Sequence, residues 1–146
     1  MIAELGAFAL TLALAFAIAQ LGFSAAARAR RSTVLAAAGE GAALASFASV
    51  ALAFAALIHA FVTSDFSVMN VAANSHTEKP LLYKVAGAWG SHEGSMLLWC
   101  LALTGYGAAV ALTGRNLPAG LKRLVVAVQG SLGVMFLAYT TFASSP

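Results

Sequence analysis

Four long stretches of this 146-residue chain contain no Asp, Glu, Lys or Arg: residues 5–27, 41–64, 94–114 and 124–146. Each is close to the ~20 residues, at about 1.5 Å rise apiece, that an α-helix needs to cross ~30 Å of hydrocarbon. Inside lipid every backbone N–H and C=O needs a partner within the protein, and a helix supplies one for each. Ala, Leu and Phe dominate these runs, which agrees with helix. The whole chain is 61% hydrophobic and 9% charged, against roughly 25% charged in a soluble domain. The expected fold is all-α: a single polytopic membrane domain of about four transmembrane helices.

The charges between the runs predict an orientation. The chain starts Met1-Ile2-Ala3-Glu4, without the positive leader segment of a cleaved signal peptide, and Arg28, Arg30 and Arg31 follow the first run instead. With Arg115, Lys122 and Arg123 of the third connection, these make six of the eight basic residues. The middle connection, 65–93, holds Lys79 and Lys84 together with Asp65, Glu78 and Glu93. Short basic loops stay in the cytoplasm, so both termini and the middle connection are expected outside, which in a bacterium is the periplasm. Cys100 is the one cysteine, so the chain forms no internal disulfide. Gly41, Ala45, Ser49 and Ala53 recur every fourth residue on the second helix, as do Gly105 and Ala109 on the third. Such spacing predicts close helix approach in lipid, although alanine is common throughout this chain.

Polar residues are concentrated in the middle connection, where candidate chemistry is sought first. Pro80 suits the first turn of a helix. Leu81, Leu82, Val85, Ala88 and Trp89 then share a face, with Lys84 off it. That pattern predicts a short helix lying in the membrane interface, with Trp89 and Trp99 as anchors. His92-Glu93 lacks the second histidine of a zinc-protease helix, because Met96 occupies the place. No nucleophile elbow, phosphate-cradling loop or basic run suited to nucleic acid is present. Of the three histidines, His59 near the end of the second helix suits a bond to a neighbouring helix, and His76 suits a solvated loop. His92, beside Glu93 at the mouth of the third helix, carries two readings. One is a functional group on the outer face; the other is a polar cluster at a helix start, where Glu93 meets the positive end of the dipole.

Several strings resemble one family. They are Asp65-Phe66-Ser67-Val68, Val71-Ala72-Ala73-Asn74-Ser75, Pro80, Tyr83-Lys84-Val85-Ala86, and above all Trp89-Gly90-Ser91-His92-Glu93-Gly94-Ser95 leading to Leu97-Leu98-Trp99. Glu4-Leu5-Gly6 and Phe142-Ala143-Ser144-Ser145-Pro146 also match. In these strings the chain resembles, in register over its whole length, the CcmF/NrfE heme lyase family of cytochrome c-type biogenesis proteins. Asn70 and His76 depart from the family pattern.

The resemblance implies a component of the bacterial inner-membrane heme lyase. That machinery joins heme to the thiols of apocytochrome c on the periplasmic side, and heme transport is a label attached to the same family. It implies heme as cofactor, and CcmE, CcmH, CcmI and apocytochrome c as partners. Trp89, His92, Glu93 and Trp99 become candidates for the face that meets heme, with Asp65, Asn74, Gly90, Gly94 and Ser95 as motif residues. None of His59, His76 or His92 matches the family's heme-ligand histidines, and its tryptophan-rich segment is absent. The chain is therefore expected to be the N-terminal part of a longer protein, and inactive by itself. Two other classes compete: a passive membrane scaffold and a small-molecule transporter subunit. The second is disfavoured by charge-free spans, since transport pathways carry ionisable residues.

Overall fold

A single turn sets the geometry of the first half of the molecule. Arg31 takes a left-handed conformation, φ 51°, and the Ser32 amide donates back to Ala27 O at 3.1 Å. This six-to-one bond closes the first helix. Ser32 also opens the second: its Oγ accepts from the Leu35 amide at 3.2 Å, and its carbonyl accepts from the Ala36 amide at 3.2 Å. One residue thus ends one helix and caps the next, and the chain reverses.

The computed structural model describes residues 2–62, 92–114 and 118–142. Among them the chain forms four α-helices: α1 (Ile2–Arg30), α2 (Thr33–Val62), α3 (His92–Thr113) and α4 (Ala119–Phe142). All four are long and apolar enough to cross a membrane, as the charge-free runs predict. The interfacial helix expected near Pro80 lies outside the described residues. The helices outrun the apolar stretches at the basic end. Arg28 and Arg30 belong to α1, Glu40 to α2, and Lys122 and Arg123 to α4. Hydropathy marks only the part in hydrocarbon; the helical backbone continues past it, where long charged side chains keep their tips wet.

The helices run up and down, with α1 and α3 each packed between α2 and α4. Small residues fill the interior: Ala9, Ala13 and Ala17 of α1 and Ala53 and Ala60 of α2 are buried, with Val50, Leu57, Leu97, Cys100 and Leu137 around them. Large apolar side chains point outward, among them Phe8, Ile18, Phe23, Met135 and Phe142. Lipid tails solvate such side chains, so close backbone approach and packing hold the helices together. Several hydroxyls within the bundle bond backbone carbonyls, whereas Ser24 Oγ and Thr141 Oγ1 are buried without a partner among the described residues. Ser49, Thr104 and Thr140 each donate to the carbonyl four residues back, while Ser46 Oγ crosses to Ala13 O at 3.1 Å.

The small-residue stripe on α2 needs correction. Ser49 and Ala53 are buried, but Gly41 is exposed and faces open space. Four residues exceed a full turn by ~40°, so the stripe winds by about 120° from Gly41 to Ala53. The close approach is at Gly39, where a Cβ would overlap Ser24 Oγ and lie 3.2 Å from the Ser24 nitrogen. On α3, Gly105 meets the Phe47 ring, while Ala109 is exposed. The packing stripe on α1, Ala9-Ala13-Ala17, has the same spacing as the one on α2.

Candidate functional site

The end of the bundle opposite the basic turn is where the family-like string enters the fold. His92, Glu93 and Gly94 form the first turn of α3. Ser95 is half-buried, and Trp99 is 66% exposed. Positions 92, 99 and 106 are seven residues apart and so share one stripe of the helix. Tyr106, on that stripe, is 74% exposed. Leu97, Cys100 and Thr104 form the opposite, buried face. The structure therefore puts the Trp99 and Tyr106 side chains along one side of α3, away from the packed core. Asp65, Asn74, Trp89 and Gly90 lie outside the described residues.

His59 occupies the last turn of α2 and is exposed. Cys100 is 1% exposed, its sulfur 3.3 Å from Thr140 Oγ1. Among the described residues no three His, Cys, Asp or Glu side chains gather in a way that could hold a metal ion. Apolar side chains pack the core of the four described helices. Leu10, Leu14, Val50, Phe54 and Leu137 close its interior around an alanine seam, and the buried sulfur is already enclosed.

The sequence reading missed one polar cluster. Gln20 of α1 is 2% exposed. Its Nε2 donates to Val126 O of α4 at 2.9 Å and to the Gln129 side chain. Gln129 Nε2 donates in turn to Leu103 O of α3 at 2.7 Å. Gly130 lets α4 approach, since a Cβ there would lie 3.1 Å from the Leu21 nitrogen, and Gly107 leaves room for the Gln129 amide. Three helices are tied by two amides. The available signal was composition: these are the chain's two glutamines, and each lies inside a charge-free run.

At the basic end, Lys122 Nζ lies 3.0 Å from Glu40 Oε1 and donates to Ala111 O at 3.4 Å, linking α4 to α2 and to the last turn of α3. A lysine near the C-terminal carbonyls complements the helix dipole.

Small residues inside, large apolar residues outside and amide ties across the interior define a multi-pass α-helical membrane protein. No family model matches the chain. The chain is 52% identical over its entire length to the cytochrome c-type biogenesis protein Ccl1 of Rhodobacter capsulatus, covering 22% of that protein. It is 46% identical over 100 residues, 68% of this chain and 16% of the relative, to CcmF of Escherichia coli. A solved structure titled Cytochrome c Heme Lyase CcmF superposes on the whole chain with a TM-score of 0.94 at 31% identity, the match covering 24% of that structure. The chain belongs to the CcmF family of cytochrome c-type biogenesis proteins, and it spans about a fifth of the length of the relatives it matches.

Proposed function

We propose that this chain is the four-helix N-terminal portion of a heme lyase component that matures c-type cytochromes. In this reading it sits in the bacterial inner membrane, with the start of α3 and the connection before it on the periplasmic side. The observation that carries the reading is the full-length superposition on the CcmF structure, at a TM-score of 0.94. The exposed Trp99 stripe of α3 supports an outward-facing role for the adjoining string. Heme is then substrate rather than a resident group of this bundle, met along that side by Trp89, His92, Glu93 and Trp99. CcmE, CcmH, CcmI and apocytochrome c are the proposed partners.

The bundle's contribution is positional. The Gln129 tie to Leu103 O and the packing of Leu97 and Cys100 into the core hold α3 in place, so that whatever its first turn presents stays at a fixed height above the membrane. The test is a chimera in which this chain replaces the matching segment of the Rhodobacter capsulatus protein, in a strain lacking the native copy. Holo-cytochrome c is expected to return, and His92→Ala and Glu93→Gln are each expected to abolish it at unchanged membrane abundance. A chimera that inserts normally yet yields no holo-cytochrome c would refute the lyase reading. Unimpaired maturation in both variants would point to a passive scaffold.

A further inference from the structure

The basic end of the bundle carries a second feature. Thr33, Ala36, Ala37 and Glu40 of α2 and Lys122 and Arg123 of α4 line a cleft of about 160 Å³. Lys122 is engaged by Glu40, but Arg123 is not matched: among the described residues no carboxylate pairs with it, and its Nε is buried without a hydrogen-bond partner. A buried guanidinium nitrogen without an acceptor is costly. The cleft thus holds two cations against one anion, leaving one positive charge uncompensated. It lies in the first turns of α2 and α4, at the ends of their membrane-crossing segments, which is headgroup depth for a chain that spans the bilayer. The N-terminal ends of both helices add favourable dipole potential for an anion. Around it the same turns expose Val34, Leu121 and Leu124. A cationic pocket set among apolar side chains suits an amphiphile rather than a free ion.

We propose that this cleft binds the phosphate of an anionic phospholipid, with Arg123 as its principal partner, Lys122 as a second, and the acyl chains running into the bilayer along the exposed Leu124 and Val128 of α4. The uncompensated charge selects an anionic over a zwitterionic headgroup, as basic pockets between membrane helices do. The inference depends on the bundle crossing a bilayer and not on lyase activity, so the two fail separately.

The test uses the full chain in phosphatidylcholine nanodiscs with increasing phosphatidylglycerol, followed by native mass spectrometry of the released protein. One retained phosphatidylglycerol per chain is expected. Arg123→Gln should weaken its retention about tenfold, the scale of one charge-assisted hydrogen bond, while Arg28→Gln, at the end of α1, should leave it unchanged. Equal retention of the two lipids in the unaltered chain would overturn the proposal, whatever the variants do. So would equal loss from Arg28→Gln and Arg123→Gln, the mark of diffuse attraction. Displacement of the lipid by millimolar inorganic phosphate would reassign the cleft to a free anion.

Discussion

Gln20 and Gln129 meet amide to amide across the α1–α4 interface, in the interior of the membrane-spanning bundle. The contact is extended at both ends, to Val126 O and to Leu103 O, so three helices share one hydrogen-bonded unit. Bonds of this kind between membrane helices contribute about 0.6 kcal/mol on average and up to ~1.7. Gln20→Ala and Gln129→Ala are each expected to lower stability by about 1–2 kcal/mol, because each leaves a buried amide partly unsatisfied. The double variant should lose less than the sum. Reversible unfolding in mixed micelles gives the coupling, and strict additivity would show that the two amides act independently.

This cluster also marks where sequence reading stops. The helices are legible because a bilayer leaves a chain few alternatives: long runs such as 124–146 must satisfy their own backbone. Helix ends are less legible, since Glu40 and Lys122 look like loop residues until the pair they form is seen at the edge of hydrocarbon. Trp99 is legible in the sequence as an interfacial anchor, whereas the exposed stripe it shares with Tyr106 is seen only in the structure. What pairs with Gln20 is equally hidden: residues 20 and 129 are brought together only by the α1–α4 packing. In the sequence the two cations of the lipid cleft signal topology alone, and the unpartnered Nε of Arg123 is visible only in three dimensions.

Gly39 and Gly41, two residues apart, should respond in opposite ways. A Cβ at Gly39 runs into Ser24 on α1, against its backbone as well as its hydroxyl, while one at Gly41 meets open space. Gly41→Ala is therefore expected to be neutral or to stabilise by up to ~1 kcal/mol, the helical preference of alanine over glycine. Gly39→Ala should destabilise by about 1–3 kcal/mol, as overpacking does. Thermal melts of the two variants side by side decide it. Equal melting points would mean that α1 and α2 do not touch at the level of Gly39 and Ser24.

Arg31 occupies the left-handed position that closes α1, with φ 51°. For a side chain bearing a Cβ this conformation costs roughly 1–2 kcal/mol, and glycine is the residue helix ends favour there. Arg31→Gly should raise the unfolding midpoint, and Arg31→Val, branched at Cβ, should depress it. A midpoint unmoved by valine would mean that the turn is not held in this form.

Cys100 reports on core packing independently of lipid depth. Its thiol is enclosed between α3 and α4, against Thr140, whereas Ala102 on the same helix is exposed. Two residues separate them, about 3 Å along the axis, so a membrane-permeant thiol reagent arrives at similar depth for both. With Cys100 replaced by alanine, Ala102→Cys is expected to react at the rate set by the lipid environment. The native Cys100 should react about a hundredfold more slowly, which corresponds to a local opening free energy of about 2.8 kcal/mol. Thr140→Ala, which removes the hydroxyl packed against the sulfur, should recover part of that rate. If Cys100 reacted as fast as the cysteine at 102, α3 would be turned about its axis so that position 100 faces lipid, and the outward placing of the Trp99 stripe would fail with it.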